Sequence, residues 1–346
     1  MFGLREMGKL TLEEIGKLAG VSRSTVSRVI NRHPSVKPDV RERVLQVVAE
    51  TGYYPDPAAR SLASQRSGVI GLVVPLAVQS LFDDPYFARL IQGISQACNA
   101  HDYTLSLILF HSKEDEAKLY PRISRNQLFD GVIVTATQIE DPLIPQLLAN
   151  QVPFVLDGRH EDPRVSFVDT DNVAGAYTAV SHFIRSGRRR IATVAGPPDN
   201  LAARDRKQGY LNALRNRGHL TEKALIESGD YTEVSGYEAM QHLLPHKPDA
   251  VFVASDTMAL GVLRALRGAG IKVPDDIALV SFDDLPHAAT ADPPLTTVRQ
   301  SIQQRGVLEV ETLIDMLHNG FEPPRRLIMP AELVIRASCG AGQTGE

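Results

Sequence analysis

The chain has 346 residues, 43% of them apolar and 23% charged, the balance of a soluble folded protein of two or three domains rather than a disordered or fibrous one. Its net charge of −4 hides an asymmetry: residues 1–66 carry 11 Lys and Arg against 7 Asp and Glu, leaving 26 against 34 for the rest, so only a basic head is suited to a polyanion. No apolar run spans a bilayer, Met1 to Lys9 lacks a secretory hydrophobic centre, and Cys98 and Cys339 stand alone; a cytosolic protein without membrane, disulfide, metal or cofactor is expected.

The first predicted helix follows Thr11, which forms a capping box with Glu14; Leu12, Ile15, Leu18 and Ala19 share one face, and Gly20 is placed to end it. Ser22 caps a second helix whose Val26, Val29 and Ile30 recur at i, i+3 and i+4, turning Arg23, Ser24, Ser27, Arg28 and Asn31 outward. A third helix begins near Pro38, with Val40, Val44, Val47 and Val48 inside. Two helices joined by so tight a turn make a helix-turn-helix, whose second helix enters the major groove, although a plain helical corner has the same periodicity.

From Gly68 onward, apolar β-branched runs alternate with helical stretches: 69–74, 105–110, 131–135 and 152–156, then 190–195, 250–254 and 277–282. Such runs imply parallel sheets with crossovers, and two series imply two halves with a ligand site at facing strand ends. No GxGxxG follows the turn at Ala195 to Pro198, which argues against a nicotinamide enzyme, and no paired acid and base, nucleophile elbow or metal cluster stands out.

The segments Thr11-Leu12, Ala19 to Ser22 and Thr25 to Asn31 resemble the headpiece of the lactose-repressor (LacI/GalR) family, and Gly52 to Pro55 with Ala58 to Leu62 resembles its hinge helix. Val168 to Asn172, Gly187 to Ile191, Arg204 to Tyr210, Ser255 to Gly261, Val273 to Ile277, Ser281 to Asp284 and Pro294 to Val298 extend the resemblance over nearly the whole chain. Lys37, Asp56-Pro57 and Ser255 depart from the family pattern. The resemblance implies an N-terminal all-α helix-turn-helix headpiece plus an α/β periplasmic-binding-protein-like core of two Rossmann-like subdomains with parallel sheets. Its implied limits are 8–52 for the headpiece, 53–66 for the hinge, 67–162 with 293–321 for one subdomain, and 163–292 with 322–340 for the other. The chain would cross between subdomains near Pro163, Asp292 and Glu322.

The function implied is that of a sequence-specific transcriptional regulator, a repressor rather than an enzyme. As a homodimer it would hold a near-palindromic operator under the control of a small-molecule effector, a sugar. DNA contacts fall on Thr11, Ser22, Arg23, Ser24, Thr25, Ser27, Arg28, Asn31 and Ala59, with Leu62 wedging between base pairs or else packing as a linker residue. Effector contacts fall on Asp84, Tyr86, Phe87, Asp157, Arg206, Tyr231, Asp256 and Asp283, since sugars are gripped by groups that bond two hydroxyls at once and by aromatic faces. Asp169, Asp171 and Asp284 read equally well as caps or structural bridges. The stripe Phe87, Leu90, Ile91, Ile94 and Cys98 suits either a dimer face or a subunit's own core, and the tail from Ala337 carries no heptads for a larger assembly. A transport sugar-binding protein, or an enzyme with a DNA module, is the rival reading.

Overall fold

A computed structural model describes residues 10–30, 33–53, 66–77, 84–110, 112–125, 128–135 and 138–341. Asn31, Ala59 and Leu62, with the hinge segment expected around the last two, lie outside the described residues. Contacts divide the chain into two units, Met1–Ser67 and Gly68–Glu346.

In the first unit, α1 (Leu12–Ala19), α2 (Arg23–Ile30) and α3 (Pro38–Thr51) enclose a small core of Ile15, Ala19, Val26, Val29 and Val44. The capping box is present in both directions: Glu14 N donates to Thr11 Oγ1 at 3.3 Å, and Thr11 N donates to Glu14 Oε2 at 2.7 Å. Gly20, at φ 68°, ends α1 in the left-handed region that its missing Cβ makes accessible. Leu18, expected inside, is 60% exposed, because Ile15 and Ala19 already fill the narrow stripe that α1 presents to α2 and α3.

The second unit continues with β1 (Val69–Ala77), α4 (Pro85–Ala100), β2 (Thr104–Phe110), α5 (Lys113–Arg125), β3 (Gly131–Val134), α6 (Leu143–Ala149), β4 (Phe154–Asp157) and β5 (Phe167–Thr170). Then come α7 (Asn172–Arg185), β6 (Ile191–Ala195), α8 (Leu201–Asn216), β7 (Ile226–Ser228), α9 (Glu233–Leu243), β8 (Ala250–Val253), α10 (Asp256–Gly268), β9 (Ala278–Asp283), α11 (Pro286–Thr290) and β10 (Thr296–Arg299). Last are α12 (Ile302–Asn319), β11 (Arg326–Met329) and β12 (Glu332–Val334).

The strands form two six-stranded sheets, ordered β11-β5-β4-β3-β1-β2 and β12-β10-β9-β8-β6-β7. Among the described residues every pairing is parallel except β10 with β12. Strands buried on both faces, such as β3, β4, β8 and β9, explain the continuous apolar runs.

Because β5 pairs with β4 and β11 with β5, the chain passes between halves after Thr170, after Arg299 and after Met329, later than Pro163, Asp292 and Glu322. The prolines mark loops entering the last strand of each half; the passage follows that strand.

Helix pairs clamp each half through glycines. A Cβ on Gly93 would lie 1.9 Å from Gln303 O, and one on Gly306 would lie 2.6 Å from Leu90 O, so only glycine lets α4 and α12 approach so closely. Gly236 and Gly261 do the same between α9 and α10, at 2.1 Å from Met258 O and 1.9 Å from Glu233 O. Phe87, Leu90, Ile94 and Cys98 are buried in the core beneath α12 and sheet one, with half-buried Ile91 packed against it, so most of that stripe serves the subunit's own core.

Candidate functional site

On the headpiece, Val26 and Val29 anchor α2 to its neighbours and leave Ser22, Arg23, Ser24 and Arg28 exposed, with Thr25 and Ser27 half-buried at the flank. Ser22 Oγ accepts from Thr25 N at 3.2 Å and so caps the helix. The first turn of α2 holds no acidic residue, and Arg23 meets Glu13 only loosely at 3.8 Å, both side chains being 67% exposed. Thr11 is exposed at the start of α1, its hydroxyl engaged by Glu14 at 2.9 Å. Lys37 makes no side-chain cap to α3.

In the core, the strand ends of the two halves face each other, where crossovers leave room for ligands in α/β sheets. Arg206 comes from α8 and is 5% exposed. Its Nε donates to Asn172 Oδ1 at 2.8 Å, and its Nη1 donates to Ala254 O at 2.6 Å and Asp283 Oδ1 at 3.2 Å. The guanidinium carbon lies 3.8 Å from the centre of the Phe282 ring. Asp283 ends β9 at φ 116°, Asp284 follows at 57° and Tyr231 stands at 72°, so three residues in strained left-handed backbone converge here. Burial pushes the Asp283 carboxyl up, and Arg206 opposes it.

Opposite, Asp157 ends β4 and accepts from Thr135 Oγ1 and, at 3.2 Å, from the Tyr86 hydroxyl. Asp84 caps α4 by accepting from Tyr86 N at 3.0 Å; burial raises its carboxyl to about 6, with Arg206 pulling the other way. Tyr231 lies against Gly196, where a Cβ would sit 2.6 Å from its ring, and burial pushes its hydroxyl up to about 12. Asp84, Tyr86, Asp157, Arg206, Tyr231 and Asp283 are therefore brought together.

Two expected contacts are not. Phe87 is buried in the core of the first half, packed edge-on to Tyr86 at 5.2 Å, because an α-helix turns successive residues about 100° apart. Asp256 is fully buried and spent as a structural clamp: Oδ1 accepts from Ser281 and Thr297, the latter at 2.7 Å, and Oδ2 accepts from Leu285 N at 2.7 Å. Asp171 caps α7, Asp169 binds Thr170 N and Asn172, and Asp284 pairs with Arg299 and Arg336, so all three have structural partners.

Sequence reasoning missed Gln300, Arg305 and Glu309. Gln300, in the passage between β10 and α12, donates from Nε2 to Asp283 Oδ1 at 2.6 Å and accepts from Arg305 Nη1 at 3.2 Å, joining the two walls. Arg305 and Glu309 interrupt the apolar stripe of α12 among Ile302, Val310 and Leu313, and charged residues on a buried stripe were the available signal. Direct bonds also link the halves at the rim: Arg159 Nε to Asp205 Oδ2 at 2.6 Å, and Gln138 Nε2 to Asp199 Oδ2 at 2.8 Å. Among the described residues no group of His, Cys, Asp or Glu is arranged to hold a metal ion, and no helix is long and apolar enough to cross a membrane.

Residues 11–56 match the model of bacterial regulatory proteins of the lacI family, and residues 180–339 match that of the periplasmic binding protein-like domain. The transcriptional regulator CelR of Thermobifida fusca is 40% identical over 95% of this chain and 98% of its own. The ribose operon repressor of Escherichia coli K12 is 30% identical over 95% and 99%. Among solved structures, a CelR–cellobiose complex has a TM-score of 0.76 at 38% identity, covering 95% of this chain and 99% of that one. A lac repressor dimer bound to operator and the anti-inducer ONPF has a TM-score of 0.82 at 26% identity, covering 96% and 99%. With a helix-turn-helix head, a two-sheet sensor body and relatives matched along their full length, the chain belongs to the LacI family of bacterial transcriptional regulators, which are not enzymes.

Proposed function

We propose that this regulator works in the cytoplasm as a homodimeric repressor, inserting α2 of each copy into successive major grooves of a near-palindromic operator. A sugar held between the core subdomains would lower its DNA affinity. The observation that carries the DNA half is the exposed polar face of α2, Arg23, Ser24 and Arg28 set over buried valines. Arg23 and Arg28 suit guanine edges, while Thr11, Ser22, Thr25 and Ser27 suit phosphates.

The sensor half rests on Arg206 and Asp283, a donor fork and a carboxylate placed together at a strand end, with Tyr231 beside them as an apolar face for a sugar ring. A sugar shifts DNA binding only through its differential affinity for two arrangements of the halves, which the cross-rim bonds of Arg159 and Gln138 would separate in energy. Cellobiose, the ligand of the CelR complex, is the first candidate.

The test selects duplexes from random DNA with the full chain, then follows binding by fluorescence anisotropy with and without cellobiose and a panel of other sugars. A selected palindromic element released by one sugar is the expected result. Failure to enrich any element over random DNA would refute the operator half, and indifference to every sugar would refute the sensor half.

A further inference from the structure

The two walls of the core site are assembled from the same parts. On one, Arg206 is paired with the strand-end Asp283 and rests over the Phe282 ring at 3.8 Å. On the other, Arg305 Nε lies 3.0 Å from Oδ1 of the strand-end Asp157, and its guanidinium carbon is 5.4 Å from the Tyr86 ring centre. Gln300 stands between them, accepting from Arg305 and donating to Asp283, and Thr170 Oγ1 receives a further Arg305 Nη1 bond at 3.2 Å. We propose that Arg305 is a second effector-binding arginine, and that the effector it selects is an uncharged carbohydrate whose hydroxyls are gripped from both walls.

Three observations carry this beyond a structural ion pair, and all presuppose the sugar-sensor reading above. First, Arg305 and Glu309 occupy an otherwise apolar helix stripe with side chains 6% and 0% exposed, and well-packed apolar residues there would be as stabilising or more so; buried ion pairs are weak evidence for stability. Second, among the described residues neither Arg206 Nη2 nor Arg305 Nη2 has a hydrogen-bond partner, so each fork keeps a donor for a ligand. Third, the charges exclude an anion. Asp84, Asp157, Asp169, Asp283 and Glu309 gather about these two guanidiniums. Burial holds Glu309 well toward its neutral form, where it can share its proton with Asp157, and even then no surplus positive charge remains for a phosphate or a sugar acid.

The experiment uses the full chain with Arg305→Met, which keeps the length and loses the fork, and Arg305→Lys, which keeps the charge beside Asp157 and Glu309. Melting-temperature shifts rank cellobiose, maltose, glucose, galactose and ribose against glucuronate and glucose 6-phosphate. Calorimetry then compares the best sugar with its monodeoxy analogues on each protein, folding being checked by circular dichroism. A neutral sugar should bind, R305M should weaken it about ten- to a hundredfold, and R305K less. One monodeoxy analogue should lose affinity on the wild type but bind R305M as well as its parent does, a readout that a purely structural arginine would not move. If R305M does not fold, the same comparison on R305K decides.

Unchanged parent-to-analogue ratios at every hydroxyl, or binding of only the anionic sugars, would overturn the inference while leaving the sensor reading intact. Binding of no carbohydrate at all would remove that reading, and the inference with it.

Discussion

Replacing Arg206 by Met tests the electrostatics of the core site most directly. The substitution retains an apolar stem over Phe282 but removes three hydrogen bonds, to Asn172, Ala254 O and Asp283, from a side chain 7% exposed. Where Asp283 is ionised, breaking one partner out of this buried ion pair costs about 3–5 kcal/mol, a large part of a domain's usual margin of about 5–15 kcal/mol. Asp283 has one escape, because Gln300 still donates to it and a proton can neutralise it. In the folded wild type burial raises its carboxyl and Arg206 partly restores it, so removing Arg206 raises it further.

The sign follows. Where Asp283 is protonated in both folded proteins, at the acid end, this group adds nothing to the difference. As pH rises through the wild-type folded value, which burial lifts well above the usual carboxylate range, wild-type Asp283 ionises while the variant's retains its proton. The stability gap should therefore widen by about 1.4 kcal/mol for each pH unit in that interval. Urea unfolding followed by circular dichroism at about pH 6 and about pH 9 measures this gap directly. Adding Asp283→Asn should flatten its pH dependence and make the double variant at least about 2 kcal/mol more stable than the two single losses summed. Strict additivity, or a gap that narrows with rising pH, would refute the coupling of these two residues.

Three further outcomes follow from particular contacts. Gly196→Ala places a Cβ 2.6 Å from the far end of the Tyr231 side chain, so it should displace the ring and weaken the best-binding sugar about tenfold, by calorimetry, with little change in urea midpoint. Gly261→Ala instead drives a Cβ to 1.9 Å from the backbone oxygen of Glu233, which cannot swing aside; overpacking of about 1–3 kcal/mol or more should lower the urea midpoint, and an unchanged midpoint would contradict the helix packing. Arg23→Ala should narrow the preference for a selected operator over random duplex while sparing most salt-sensitive nonspecific binding; equal anisotropy losses on both DNAs would exclude Arg23 from base readout.

What one stretch of sequence can determine is what depends on near neighbours. The Thr11 to Glu14 capping box, the left-handed Gly20 and the i, i+3, i+4 spacing of Val26, Val29 and Ile30 are local relations, and they are found as expected apart from the exposed Leu18. The apolar strands were equally legible because burial on both faces leaves an unbroken run; β5 and β10 were not, because Asp169, Thr170, Thr296 and Thr297 break the run, and neither were β7, β11 and β12, half-buried or exposed strands at sheet edges.

The core site depends on residues far apart in the chain. Motif matching set Asp283 and Asp157 at strand ends, where the structure also has them, and singled out Arg206, which stands in the second turn of α8, but it treated Asp256 as one more rim carboxylate, and only the crossing of β9, β10 and Leu285 over it shows that its oxygens are spent. In the same way Arg305 and Glu309 are a charged pair at i and i+4 that many exposed helices carry. Packing of α12 against the first sheet turns that pair inward to Asp157, because the side of a helix that meets a sheet is chosen by the whole stripe and its glycines, not by the two residues themselves.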